Sequence, residues 1–202
     1  MNSALSNNFG EEELRRRWNE TENATVLAEV RSALVEGGDW RALVRRWTAP
    51  WGTGNDLGGI PLAGLNLTRA DLVDAYLSYA DLRGCVMTGC DLTDAVLSGA
   101  DARETDLSGA TLVRTAGGLA DFTSANLTSS IADDSILVRA RFVGATLRGA
   151  SLRRASLAAS DFTNADLTGA NLEDSVLVSA RMEGAVTDGA NMKGARLGAL
   201  RP

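Results

Sequence analysis

The sequence lacks the residues on which most catalytic and metal sites depend. Its 202 residues include no His, 2 Cys and 3 Pro, and only 5% are aromatic. Two cysteines cannot build a disulfide scaffold, and a zinc site or a histidine-based site loses its commonest ligand. No apolar run approaches the length of a membrane helix, and the start, MNSALSNNFGEEELRRRW, lacks the apolar core of a signal peptide. We therefore expect a soluble, cytoplasmic protein with no cofactor, no metal and no membrane segment.

Charge is unevenly distributed along this mildly acidic chain, whose formal net charge is -6. Residues 55–134 hold 12 acidic and 4 basic residues, whereas residues 135–202 hold 6 acidic and 9 basic residues. Residues 1–54 are nearly balanced, with 8 acidic and 7 basic residues. The length suits one domain, or one domain with a small appendage.

A five-residue repeat dominates the sequence and is visible in DFTNADLTGANL, residues 161–172. From residue 57 to residue 197, 25 of the 29 positions spaced five apart are Leu, Phe or Met. In a second register, from residue 70 to residue 195, all 26 positions are Ala, Ser, Thr or Cys. This period matches neither an α-helix nor a β-strand. A register unbroken over about 140 residues indicates units stacked on one another.

The order of residues within the repeat predicts a narrow solenoid. Residues two apart in an extended segment point the same way, so the small residue and the large residue that follows it can both face an axis. The residue between them faces outward. The next two residues form a corner, where Gly, Asp, Ser, Thr and Asn are common, as turns prefer.

The repeat resembles that of the pentapeptide-repeat proteins. The pattern A(D/N)Lxx occurs at Ala70-Asp71-Leu72, Ala80-Asp81-Leu82, Ala125-Asn126-Leu127 and Ala165-Asp166-Leu167. The resemblance covers about residues 55–200. It implies an all-β solenoid, a right-handed quadrilateral β-helix with four pentapeptides in each coil and about seven coils.

Four residues interrupt the register of large inward side chains: Ala102, Gly117, Ala132 and Thr187. The first three lie in the middle of the repeat and could leave cavities. One interpretation is that neighbouring side chains fill the lost volume, and we favour it because cores tolerate such exchanges. The other is a local deformation at which a partner docks.

The first 54 residues have no fivefold pattern and contain all four tryptophans, at positions 18, 40, 47 and 51. The spacing of apolar residues predicts a short helix over 11–18, and a second that starts at Thr21 or Asn23 and stops at Gly37-Gly38. A third begins at Asp39 and ends at Pro50. We expect residues 1–54 to form a helical cap, with the tryptophans on the first coils of a β-helix over 55–202. A separate dimerisation or effector-binding module is the alternative.

No catalytic arrangement emerges from the residue types. The glycine-rich stretch GTGNDLGG lacks the Lys-Ser/Thr of a phosphate-binding loop. Cys85 and Cys90 fall in the small inward register, so we expect them to be buried. Serines and threonines are abundant, but no base is placed to activate them. We therefore predict that the protein is not an enzyme.

Two sides of the predicted solenoid differ in their outward residues. One side is apolar and is our candidate protein-binding surface: Tyr76, Tyr79, Val96, Leu119, Ile136, Val138, Val176 and Val178. Another side carries an acidic patch: Asp71, Asp74, Asp91 and Asp94. An apolar column on a soluble rod suggests a buried contact, and we expect a homodimer through it.

These two surfaces lead to two functional hypotheses. The first is a non-catalytic protein–protein interaction scaffold. The second follows from the resemblance, since some pentapeptide-repeat proteins protect DNA gyrase or topoisomerase IV from fluoroquinolone- or albicidin-type poisons by resembling B-DNA. That reading implies antibiotic resistance, a type II topoisomerase as partner and no direct binding of nucleic acid. The basic second half of the chain argues against a DNA mimic, so we favour the scaffold.

Overall fold

The computed structural model describes residues 10–48 and 54–198, which form three short helices and a long stacked coil. Helix α1 spans Glu11–Asn19, α2 spans Ala24–Glu36 and α3 spans Trp40–Thr48. One turn of 3-10 helix, Thr21–Asn23, lies between α1 and α2. The helices therefore occur where the apolar spacing predicts them. The predictions for Trp51 and for the side chain of Trp47 lie outside what the structure describes.

Local signals in the sequence explain where these helices start and stop. The predicted cap of α3 is confirmed, because the Asp39 carboxylate accepts a hydrogen bond of 2.9 Å from the Ala42 N–H. The predicted stop of α2 is also confirmed, since Gly37 has a φ of 75° and its N–H donates to the Ala33 carbonyl. Asn23 precedes α2, but its side chain makes no capping hydrogen bond.

The rest of the described chain winds into four-sided coils. Parallel bridges join residues 20 apart, from Asp56–Tyr76 to Val176–Arg196. Backbone hydrogen bonds connect each coil to the next, as from the Leu67 N–H to the Val86 carbonyl at 2.7 Å. Each coil thus consists of four five-residue sides, and the predicted fivefold register is confirmed.

The core runs along the axis of the coils. The large inward residues from Leu57 to Leu177 and the small inward residues from Ala70 to Ala180 are buried. Three aromatic rings on one side, Phe122, Phe142 and Phe162, stack on one another with centroids 5.1 and 4.9 Å apart. In the last described coil the inward residues, such as Met182 and Met192, are only partly buried, because no further described coil covers them.

Every corner places one residue in the left-handed region of the backbone. Glycine occupies many of these positions, but 16 residues other than glycine have φ values of 56 to 63° there. Half of them are Asp, Asn or Ser, as turn preferences predict, and four are Arg. Tyr79 and Leu119 are the exceptions with large apolar side chains, and both lie on the apolar side.

The interruption at Gly117 is filled by a neighbour, and those at Ala102 and Ala132 each carry a side-chain hydrogen bond to the alanine carbonyl. At Gly117 a Cβ would lie 2.8 Å from Leu137 Cδ2, so the leucine of the next coil already fills that space. At Ala132 the Ser135 hydroxyl donates to the alanine carbonyl at 2.7 Å, and the Thr105 hydroxyl contacts the Ala102 carbonyl in the same way. The filled space at Gly117 supports volume compensation there over a deformed docking point.

Candidate protein-interaction surface

The outward residues on the side built on Leu57, Leu77 and Leu97 form what we call the apolar face. They are the bridge and corner residues of successive coils, and they include all eight residues predicted to bind a protein. Leu119 is 60% exposed and Ile136 is 55% exposed. The other six are partly buried: Tyr76, Tyr79, Val96, Val138, Val176 and Val178. The structure therefore places the predicted residues on one side, with the greatest exposure at its middle.

The tyrosines at the start of the apolar face lie against neighbouring glycines. The Tyr79 ring lies over the next coil, where a Cβ on Gly99 would come within 2.6 Å of the ring atom Cε1. The Tyr76 ring lies beside Gly58, whose Cβ would come within 3.2 Å of Cε1. Both rings thus lie close to the backbone of an adjacent coil.

Helix α1 covers the first coil of the apolar face. Its backbone lies on Gly59, since a Cβ there would come within 2.4 Å of the Leu14 carbonyl carbon. The Trp18 indole donates to the Gly58 carbonyl at 2.8 Å, and Arg17 makes two hydrogen bonds of 2.7 and 2.8 Å to Asp56. The face therefore already binds one amphipathic helix.

The helical segment also donates hydrogen bonds to carbonyls of the first described coil. Within the stack, carbonyls at these positions accept N–H groups from the preceding coil, as Tyr76 O accepts from Leu57. On the first coil, the Trp40 indole donates to Asp71 O at 3.1 Å and Arg41 donates to Val73 O at 2.7 Å. Side chains of α3 therefore donate to carbonyls at the edge of the described stack, where they limit pairing with other chains.

The predicted acidic patch lies on the side built on Leu72 and Leu92, but arginines pair with half of it. Asp71 pairs with Arg41 of α3 at 3.1 Å, and Asp94 pairs with Arg114 of the next coil at 2.5 Å. The hydrogen bond from Arg114 lowers the pKa of Asp94. Burial raises the pKa of Asp71, but the hydrogen bonds from Arg41 and Val73 outweigh burial and lower it. These pairs reduce the negative potential that DNA mimicry would need.

Charges on the adjoining side are paired in the same manner. Arg83 lies 2.7 Å from Asp81 and 3.6 Å from Asp101, and Arg103 lies 2.7 Å from Asp101. Because the arginines are about half exposed, each pair contributes little to stability. Their effect is to alternate the sign of charge along the rod.

The structure adds three exposed apolar residues that the comparison of sides did not single out. Val86 is 39% exposed and Val186 is 45% exposed on the side built on Met87, and Ile131 is 45% exposed on the acidic side. All three stand at bridge positions, so the outward register itself could have revealed them. Each is surrounded by polar neighbours along its column, unlike the residues of the apolar face.

The described residues hold no metal-binding arrangement, and their two cysteines are buried. They contain no cluster of His, Cys, Asp or Glu that could hold a metal ion. Cys85 and Cys90 are free and buried, as predicted, and burial raises the pKa of Cys90 to about 12. No helix within residues 10–48 and 54–198 is long and apolar enough to cross a membrane.

The 20-residue coil with five-residue sides defines a β-solenoid built from pentapeptide units. The family model "Pentapeptide repeats" matches the chain in 8 copies, over residues 56–89, 90–115, 120–158, 135–174 and 155–194. The chain therefore belongs to the pentapeptide repeat family, whose fold is the right-handed quadrilateral β-helix.

Several solved structures are similar to this chain. A pentapeptide repeat protein from the cyanobacterium Cyanothece is 30% identical over 47% of this chain and 61% of its own length, with a TM-score of 0.41. QnrB1, a plasmid-mediated fluoroquinolone resistance protein, is 17% identical over 69% of this chain and 85% of its own, with a TM-score of 0.43. A pentapeptide repeat protein of the Arabidopsis thaliana thylakoid lumen is 30% identical over 59% and 72%, with a TM-score of 0.31. A comparison with curated protein sequences gives no match.

Proposed function

We propose that this protein is a non-catalytic interaction scaffold that binds a partner protein through its apolar face. The observation that carries the proposal is the continuous apolar column with its exposed centre at Leu119 and Ile136. From Tyr76 to Ser179 the outward residues of this face include one charged residue, Arg139. A contiguous apolar surface of this kind marks an interaction site on soluble proteins. Family membership agrees with this role, because pentapeptide repeat proteins are generally scaffolds and not enzymes.

Leu119 adds a second reason for placing the contact at the centre of the face. Its left-handed φ of 63° is shared by every corner of the coil, but here the corner leaves a large apolar side chain in water. A partner would bury this side chain together with that of Ile136. Residues 1–54 serve in this proposal as the cap of a β-helix over 55–202, because α1 and α3 bond the first coil.

A pair of double variants tests the face. Leu119→Asp with Ile136→Asp introduces two charges at its centre, whereas Val86→Asp with Val186→Asp introduces them at exposed sites on another side. We expect the first variant to lose proteins that the wild type captures after chemical crosslinking, while the control variant retains them. Equal capture by both variants would contradict the proposal. Thermal melts of the three proteins show whether each is folded.

The partner at the apolar face could be a second copy of this chain, which would form a homodimer. Light scattering after gel filtration of the same variants tests for the homodimer. The isologous geometry needs only one self-complementary patch. Against it, a two-fold axis at the middle of the face would bring the two copies of Arg139 close together. A wild-type monomer, or a centre variant that stays dimeric, excludes the homodimer through this face.

Protection of a type II topoisomerase is a second candidate, favoured by the net charge of -8 that 12 acidic and 4 basic residues give to positions 55–134. Its test is a gyrase supercoiling assay with a fluoroquinolone. If the hypothesis holds, the wild type restores supercoiling, and replacing Asp71, Asp74, Asp91 and Asp94 with Asn removes that protection. The arginine partners of Asp71 and Asp94 lead us to expect no protection. Restored supercoiling by the wild type would reverse that expectation.

A further inference from the structure

The outward residues of the apolar face follow a self-complementary order along the rod. On successive coils, the bridge column of the face reads Val96, Ala116, Ile136, Ser156 and Val176. When this column is reversed about a point midway between Ile136 and Ser156, these two residues face each other. The same reversal sets Ala116 opposite Val176, so a large residue again meets a small one. A face with this property can pack against a second copy of itself that runs in the opposite direction.

The two corner columns of the apolar face share this reversal point. Large residues again meet small ones, which is the arrangement that lets packed layers interdigitate. The facing pairs are Gly118 with Val178, Val138 with Ala158, Leu119 with Ser179 and Arg139 with Ala159. Because the reversal point lies half a coil beyond Ile136, the two copies of Arg139 do not meet.

Charges along both rims of the apolar face also match about this point. One rim is the corner that precedes the face, and the other is the bridge column that follows it. Reversal brings opposite charges together in every pair. The pairs are Arg114 with Asp174 and Asp134 with Arg154 on one rim, and Asp121 with Arg181 and Arg141 with Asp161 on the other. An axis through the Ile136 coil would instead set Arg114 against Arg154, so charge selects the axis between two coils.

Helix α1 excludes a parallel arrangement of the two copies. It stands on the first coil of the apolar face, with its backbone against Gly59. A helix is about 10 Å across, which is the whole distance between two packed sheets. Two parallel copies would therefore bring one α1 into collision with the other. In the antiparallel arrangement Arg196 lies opposite Val96, two coils beyond the coil that carries α1, so the helix lies outside the contact.

The overlap between the two copies is large enough for a stable contact. It runs from the coil of Val96 to the coil of Arg196, and five spacings of ~4.8 Å give a length of about 24 Å. With the rim charges, each copy contributes roughly 25 residues, within the usual range of about 20–30. The contact buries Leu119 and Ile136, the most exposed large apolar side chains of the described residues.

We infer that the apolar face binds a second copy of this chain, antiparallel to the first, with the two-fold axis between the coils of Ile136 and Ser156. The inference rests on the proposed role of the apolar face as the binding surface, and it names the partner. The lengthwise division of charge supports it. The acidic residues 55–134 of one copy lie beside the more basic residues 135–202 of the other.

A charge-reversal series on the full chain tests the inference. Arg114→Glu alone and Asp174→Lys alone each set like charges against each other at two symmetric contacts, so each should weaken the dimer about tenfold. The double variant restores opposite charges and should return to within about threefold of the wild type. Within one copy the two residues lie three coils apart, about 14 Å, so only a contact between copies explains this recovery. Sedimentation equilibrium at low salt measures the dissociation constants.

Arg148→Glu and Asp188→Lys are matched controls, because both residues are exposed corner charges on the opposite side of the rod. Each should leave the dissociation constant unchanged, and thermal melts should show that every variant is folded. The inference is overturned if the wild type is a monomer, if the controls weaken the dimer as much as the rim variants do, or if the double variant does not recover.

The capture experiment with the double variant at Leu119 and Ile136 separates this inference from the proposed function. If the wild type is a monomer but captures proteins that the double variant loses, the scaffold stands and only the second copy is excluded as its partner. If the wild type is a monomer and both proteins capture the same set, the inference and the proposed function are both wrong.

Discussion

At the scale of single residues, the left-handed corner accepts many side chains as long as nothing lies close to it. Arg69, Glu104 and Ala159 occupy such corners with φ values of 57 to 59°. Gly59 differs because the backbone of α1 lies within 2.4 Å of the place a Cβ would take. A tertiary contact with α1 therefore requires glycine at position 59. Most other corners lack such a contact and accept other residues.

Gly59→Ala should detach α1 from the coil, because the collision involves the Leu14 and Arg15 backbone and no rotamer can relieve it. Gly64→Ala is the control, since its φ of 72° carries the same left-handed cost of roughly 1–2 kcal/mol but no atom lies within 4 Å. We expect red-shifted tryptophan emission, as Trp18 becomes exposed to water, and weaker helical circular dichroism only in Gly59→Ala. Matching spectra for the two variants would show that α1 does not dock on Gly59.

At the scale of elements, many five-residue units with Asp or Asn at the bridge position bond their own turn in the same way. Asp166 illustrates the unit: its carboxylate accepts hydrogen bonds from the Thr168 hydroxyl and N–H, and Arg148 donates to it at 2.9 Å. These contacts, led by the Thr168 hydroxyl, lower the pKa of Asp166 from 3.8 to about 2. Asn126 makes the same two bonds to Thr128 without a charge, which explains why the repeat accepts either residue.

The lowered pKa of Asp166 predicts an acid dependence of stability. The unfolded chain binds the proton more readily than the folded one, so the stabilisation is present above pH 3.8 and is lost as pH falls through about 2. Melting temperatures between pH 5 and pH 2 should fall less steeply for Asp166→Asn, which keeps the turn bonds. Asp188→Asn, at an exposed corner of the same side, should follow the wild type. A parallel decline of all three proteins would contradict the assignment.

At the scale of the whole molecule, the sequence predicted the fold far better than the contacts between its parts. The fivefold register of Leu, Phe and Ala could be found in the sequence because every coil imposes the same steric demand on the axis. The Asp39 cap and the Gly37 stop are local signals and were found for the same reason. That Trp40 and Arg41 would bond carbonyls of the first coil could not be predicted, since those residues lie about 30 positions from Asp71 and Val73.

The candidate surface was predicted less completely, for a similar physical reason. Sorting residues by side placed Leu119 and Ile136 on one face, but exposure depends on neighbours in adjacent coils. The ring of Tyr79 lies over Gly99, and α1 covers the coil before it, so the start of the face is less accessible than its middle. Likewise, the pairing of Asp94 with Arg114 depends on residues 20 apart meeting at one corner.

The four-sided coil also has a consequence for how such a chain can change length. An insertion of five residues preserves every inward position, because the core register repeats with each side. It nevertheless turns all later residues by a quarter revolution, so Ile136 and Val176 would leave the column of Tyr76 and Val96. An insertion of twenty residues preserves both the core and the surface. Gene duplications that add whole coils can therefore lengthen the apolar face, whereas those that add a single pentapeptide divide it between two sides of the rod.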